Sequence, residues 1–287
     1  MKILYVTDLH GDKAKYEETL RIAQASKVDV IINGGDMLPK LGKRDIEQPC
    51  FIKEYLNDYF GRIEKLGIPY LCILANDDLL WLDSLFSATC APYEFVFNLG
   101  ENQGFALEDY YFLGLNYILD HPFGSKDRVV LEKGFTIPPQ LNPYTLIPGD
   151  GSYTKIDNWE EYAHVHCDLM ADKLKEFPSP PPNKKTVYVM HMPPAGLNLG
   201  QIFVPGVDIG SQDIYDFIQE KKPFLTLHGH IHESPVAKSG KWLNHIGQTT
   251  CLNPGQFEAG DLNLAYALID TEKLTFERFV NNIQTLL

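Results

Sequence analysis

Five polar clusters in this 287-residue chain carry residue types that hold divalent cations. They are Asp8-x-His10, Gly35-Asp36, Asn76-Asp77-Asp78, His191 and Gly229-His230-x-His232. Carboxylate, amide and imidazole donors without a thiolate suit Mn²⁺, Fe or Zn²⁺, and the hard oxygens of aspartate and asparagine favour manganese. In His230-x-His232 an extended backbone sends both rings to one side. Paired imidazoles bind a cation well and pack in a core badly. The glycines beside Asp36 and His230 allow close approach of backbone to a ligand. Singly, these residues have ordinary uses: an aspartate after a strand caps a helix, Asn76 and Asp77 form turns, and His191 serves as a hydrogen-bonded core histidine. What sets them apart is a shared context, since each cluster directly follows a hydrophobic run.

Those runs are the elements that must position the clusters. Residues 2–7 (KILYVT), 28–33 (VDVIIN), 69–74 (PYLCIL), 186–190 (TVYVM) and 223–227 (PFLTL) read as buried strands. Helices are expected over 13–26, 46–66, 79–88 and 209–219, so strand and helix alternate as in βαβ units of an α/β fold. In open α/β sheets ligands bind beyond the carboxyl ends of the strands, and all five clusters can converge on one crevice there. Further strands are expected at 93–97, 110–115, 241–243, 249–252, 263–269 and 274–279. Between 120 and 184 nine prolines break up regular structure, leaving one expected helix over 158–177. Residues 120–184 therefore read as an inserted loop and helix region near the site, within a single domain spanning 1–287. His164 and His166 repeat the His-x-His spacing, but inside a helix residues two apart diverge, so they are not counted as ligands.

Composition narrows the substrate. With 38 acidic and 25 basic residues the formal charge is −13, which repels polyanions and disfavours a nucleic-acid polymer as partner. A small phosphate ester stays open, because two bound divalent cations would add about four positive charges where it sits. Five cysteines without a C-x-x-C spacing argue for a reduced setting. No apolar run approaches membrane-spanning length, and the chain passes from Met1-Lys2 into a short apolar run ending in Thr7-Asp8, too short for a signal core. A cytoplasmic location with no membrane partner is expected; nothing in the sequence fixes an oligomeric state.

The ordered clusters resemble the set D-x-H, G-D, G-N-x-[DE], H and G-H-x-H of the calcineurin-like metallophosphoesterase superfamily, from residue 3 to about 256, with Ala75 where the third block has glycine. That resemblance implies a four-layer α/β/β/α sandwich with two mixed central sheets and a dinuclear metal site. It implies that Asp8, His10 and His232 hold one metal, Asn76, His191 and His230 the other, and that Asp36 bridges them. Asn253-Pro254-Gly255-Gln256 is similar to a turn that lies near the pocket in many members. The implied activity is hydrolysis of a small phosphodiester or phosphomonoester, a nucleotide among the candidates, by hydroxide activated between metals ~3.5–4 Å apart. A nuclease or nucleotide pyrophosphatase of the same superfamily is the alternative. A non-catalytic scaffold is disfavoured because all seven ligand positions are filled.

One departure stands out. The family pattern often reads G-N-H-[DE], whereas this chain reads Ala75-Asn76-Asp77-Asp78. An anionic Asp77 in place of an imidazole would repel a phosphate dianion, which favours diesters. His121, after Asp120, is a candidate for the missing imidazole, a surface-loop histidine being the other reading. The catalytic candidates are therefore Asn76, Asp77, His191 and His121, with His228 and His245 as candidates for orienting ligands.

Overall fold

The computed structural model describes residues 1–101, 104–122, 125–141, 143–146 and 153–283. Strands β1 (Lys2–Val6), β2 (Val30–Asn33), β3 (Tyr70–Cys72) and β4 (Val96–Asn98) lie side by side and parallel. The antiparallel pair Asn263–Asp270 and Thr275–Asn282 extends this sheet beyond β1. A second six-stranded sheet holds β5 (Phe105–Leu107) and β6 (Tyr110–Leu115), followed in space by Lys185–Met190, Leu225–Leu227, Thr249–Leu252 and Leu243–Ile246. Its central strands are parallel and its two edge strands antiparallel, so both sheets are mixed.

The period-two alternation of each strand assigns its side chains to two different cores. Ile3, Tyr5, Ile32, Leu71 and Ile73 meet Phe112, Val187, Val189, Leu225 and Leu227 between the sheets. Leu4, Val6, Ile31 and Cys72 face outward against Tyr16, Leu20, Ile52, Phe60 and Phe86 of the helices on one side. Leu113, Tyr188 and Met190 face Met170, Ile214, Phe217 and Ile218 on the other. Strands covered on both faces must be apolar at every position, which is why these runs read as continuous hydrophobic stretches. The result is the four-layer α/β/β/α sandwich. Among the described residues no helix is long and apolar enough to cross a membrane, and the five cysteines are free thiols.

The strand expected at 241–243 lies at Leu243–Ile246. The helix expected over 79–88 is a 3-10 turn, Leu80–Leu82, running into the α-helix Asp83–Cys90. Two long helices need correction. Helix 46–66 begins at Arg44, which places Pro49 inside its first segment. Proline lacks the N–H that would close the next turn, and residues Phe51–Leu56 follow as a π-helical stretch before α-helix resumes at Asn57–Leu66. The expected helix 158–177 is two helices, Trp159–His166 and Met170–Lys175. The chain turns extended at Cys167, and the Leu131 backbone takes over there: its N–H donates to Asp168 O and its carbonyl accepts from Met170 N–H. A tertiary pairing thus outweighs local helix propensity.

Candidate metal centre

The loops after the central strands of both sheets close over one point. Asp8 and His10 follow β1, Asp36 follows β2, and Asn76 follows β3. His191 follows strand Lys185–Met190, and His230 and His232 follow Leu225–Leu227. The first two loops are zipped together by backbone bonds, with Asp8, His10 and Gly11 N–H donating to the carbonyls of Gly35, Asp36 and Met37 at 2.9 Å each. Asp8, His10, Asp36 and His230 all adopt positive φ, between 47° and 64°. Non-glycine residues reach this region at an energetic cost, and such outliers gather at functional sites. Gly35, at φ 109°, could not be replaced: a Cβ there would stand 2.8 Å from His191 Nδ1.

Three overlapping clusters have ligand atoms within 4.8 Å of one another: Asp8–His10–His232, Asp8–Asp36–His191 and His10–Asp36–Asp77. His232 Nε2 lies 3.3 Å from Asp8 Oδ1 and 3.1 Å from His10 Nε2. His191 Nε2 lies 3.4 Å from Asp36 Oδ2 and 3.7 Å from Asp8 Oδ1. The first cluster coincides with one implied ligand set. His230 stands outside all three, its ring centroid 5.4 Å from that of His191 and 6.0 Å from that of His121. Of the groups expected from sequence, His121 therefore does border the site.

The donor set fits a divalent cation. His10 Nδ1, Asn76 Oδ1 and His191 Nε2 are buried with no hydrogen-bond partner, and buried polar atoms left unsatisfied in this way call for a ligand. His191 Nδ1 donates to Gly34 O at 2.8 Å, which fixes the ring and turns Nε2 toward the aspartates. Charges follow burial and pairing. Burial pushes His10 down to about 3 and His230 well below the ordinary histidine value. Burial opposes charge on His191 too, but Asp36 and Asp8 raise it to about 9. Against the upward push of burial, the imidazoles of His232 and His191 hold Asp8 below the usual carboxylate range, and His191 and His10 do so for Asp36.

Other side chains hold the ligand loops. Asp78, fully buried, accepts from Met37 N–H (3.0 Å), Leu38 N–H (2.7 Å) and Ala75 N–H (2.8 Å), and so ties the Asp36 loop to the Asn76 loop. Burial and the Asp36 charge push its carboxyl up to about 8. Asp77 N–H donates to Asp36 Oδ1, while Arg44 Nη1 lies 3.2 Å from Asp77 Oδ1. The expected repulsion between Asp77 and a phosphate is therefore lessened by a guanidinium. Burial and Asp36 raise Asp77 to about 6. His228 packs: its Nδ1 donates to the Met190 and Met192 carbonyls and its Nε2 accepts from Thr226 Oγ1. His245 is exposed, 3.4 Å from Thr250 Oγ1. Asn253 Nδ2 donates to Leu199, Gly229 and Ile231 carbonyls, which clamps the His230–His232 loop from the expected turn. Sequence reasoning missed Arg44, Lys40 and Glu258. Lys40 and Glu258 pair at 2.8 Å, and Glu258 Oε1 lies 3.9 Å from His232 Nδ1. Isolated charges, Arg44 at the start of a helix and Lys40 and Glu258 in loops, carried no pattern that could mark them.

A family model for calcineurin-like phosphoesterases matches residues 1–234. The chain belongs to the calcineurin-like phosphoesterase family. This metal-dependent family of hydrolases accounts for the Asp/His clusters. One solved structure aligns with 99% of this calcineurin-like chain and 99% of its own, at 16% identity and a TM-score of 0.61. The crystal structure of TT1561 from Thermus thermophilus does so over 99% of each chain, at 17% identity and a TM-score of 0.56. At such identities the likeness shows the shared fold. No curated protein matches the chain.

Proposed function

We propose that the chain hydrolyses a small phosphate ester, with a phosphodiester preferred, using two divalent cations of which manganese fits the donors best. The observation that carries this reading is the convergence of Asp8, His10, Asp36, His191 and His232 on one buried point at the carboxyl ends of strands from both sheets. Asp8, His10 and His232 would hold one cation, Asn76, His191 and His230 the other, with Asp36 between them. When bound, the cations supply Lewis acidity, lowering the pKa of water and drawing charge from the phosphoryl oxygens.

The protein's own groups position and balance charge. His191 is fixed by Gly34 O, and the Asp36 and Asn76 loops are held at a set separation by Asp78. Phosphoryl transfer asks for little more than alignment and electrostatic stabilisation, so no covalent nucleophile is required. Arg44 lessens the Asp77 charge at the rim without removing it, so a diester with one negative charge meets less repulsion there than a monoester dianion. The overall charge of −13 supports a small substrate over a nucleic-acid polymer.

Metal analysis of the purified protein, with turnover of bis-p-nitrophenyl phosphate against p-nitrophenyl phosphate in Mn²⁺, tests the reading. Bound manganese and faster diester hydrolysis are expected. No bound metal together with no hydrolysis of either ester overturns it.

A further inference from the structure

One buried ion pair takes no part in the chemistry above. Asp120 and Lys126, both with side chains fully shielded from solvent, meet at 2.7 Å just after the short strand Ile118–Leu119. Asp120 also accepts from Trp159 Nε1 at 2.8 Å and from Gln140 Nε2 at 3.0 Å. Lys126 Nζ donates in addition to the backbone carbonyl of His121 and lies 5.2 Å from the centre of the Trp159 ring. Desolvating two charges is costly, and an apolar pair of like volume would stabilise as well or better. What an ion pair adds is direction. Here three side chains, Lys126, Gln140 and Trp159, aim their polar groups at the residue before His121 or at the carbonyl of His121 itself.

The place matters because the surrounding segment has little regular structure to fix it. Its described strands, Ile118–Leu119 and Val129–Val130, are two residues each. A second buried cation ties the same segment to the ligand loop: Arg128 pairs with Asp83 through both guanidinium ends, and its Nε donates to Asp78 O at 3.1 Å. The His121 ring, whose backbone lies between these anchors, stands with its centroid 6.0 Å from that of His230.

We infer that the Asp120–Lys126 pair, locked by Trp159 and Gln140, is a positioning device that holds His121 at the rim of the metal centre to donate a hydrogen bond to a phosphoryl oxygen of the substrate. This rests on the phosphoesterase reading above. No proton changes owner in this role: a ring N–H donates to an oxygen whose negative charge grows as the P–O bond to the leaving group breaks. Asp120, Lys126 and Trp159 act only through His121.

The test compares manganese-loaded wild type with His121→Ala, Trp159→Phe and the double variant. Manganese content, kcat and KM on bis-p-nitrophenyl phosphate, and affinity for inorganic phosphate by calorimetry are read for each. His121→Ala is expected to keep its manganese and lose about 100-fold or more in kcat, the scale for one donor to a developing oxyanion. Trp159→Phe keeps the ring but not the N–H and is expected to lose about 10-fold, as for other outer-shell partners, again in kcat. In the His121→Ala background Trp159→Phe should cost nothing further, because the two act as one unit. A His121→Ala variant within twofold of wild type in kcat and in phosphate affinity overturns the inference alone. So does a Trp159→Phe loss that persists in full without His121, which would make the pair merely structural. Wild type without manganese overturns the proposed function and this inference together.

Discussion

Replacing Asp78 should separate the two loops that carry Asp36 and Asn76, and the size of the effect follows from its three bonds. Asp78→Ala strands the N–H groups of Met37, Leu38 and Ala75, all buried. Each unsatisfied donor costs about 1–3 kcal/mol; with partial relaxation and entry of water, the total is about 3–5 kcal/mol. Asp78→Asn is a graded control. An amide oxygen placed at Oδ2 keeps the Met37 and Ala75 bonds, while its NH₂ faces the Leu38 N–H, a loss of about 1.5–3 kcal/mol. At ~2.1 cal/mol/K per residue the unfolding entropy of this chain is about 0.6 kcal/mol/K, so Asp78→Ala should lower Tm by about 5–8 °C. Thermal and urea unfolding in EDTA at pH 6, below the value of about 8 to which burial and Asp36 raise this carboxyl, so that wild type carries no buried charge the variants lack, reads the difference. Metal content should fall as well, since the ligand loops drift. Asp78→Ala within 1 kcal/mol of wild type, or Asp78→Asn as damaging as Asp78→Ala, would refute the clamp.

Three more outcomes are expected. Adding manganese to EDTA-treated protein at about 100 times its dissociation constant should stabilise the fold by about 2.7 kcal/mol per site, seen as a rise in Tm that is lost in His191→Ala. Burial pushes His228 down to about 4, so its neutral form is the folded one: this stability is complete above pH 6.5 and is lost as pH falls from 6.5 toward 4, by about 3 kcal/mol. In metal-free protein His228→Gln should flatten that part of the stability–pH curve, and an unchanged slope would assign it to other groups. Asp77→Asn removes one negative charge from the rim and should raise monoester turnover relative to diester by about threefold to tenfold; a fixed ratio would show that Arg44 already cancels the charge.

Much of the arrangement was legible because continuous apolar runs ending in Asp, Asn or His say two things at once. The run requires a strand covered on both faces, and the polar stop places its side chain at the strand's carboxyl end. That is why β1, β2 and β3, and the polar residues Asp8, Asp36 and Asn76 that follow them, stand out in the sequence. Helix boundaries were less so where tertiary contacts decide them. Leu131, distant in sequence, breaks the helix at Cys167, and no local pattern announces it. Asp78 and Arg44 were hidden for a similar reason: a buried acceptor of three backbone N–H groups looks, in sequence, like one more turn aspartate. His121 was visible only as a histidine after Asp120, because the partners that give its place meaning, Lys126, Gln140 and Trp159, arrive from three other segments.

In the proposed centre the two sheets would contribute unequal halves of the ligand set: Asp8, His10, Asp36 and Asn76 follow strands of the first, His191, His230 and His232 strands of the second. Cations seated there would act as rivets across the seam. Pulling the sheets apart would mean breaking coordination before the apolar seam between Ile32 and Val187 could wet. Metal loading should therefore slow unfolding more than it speeds folding, so that the loaded protein's lifetime on heating is set by how fast it lets go of its cations.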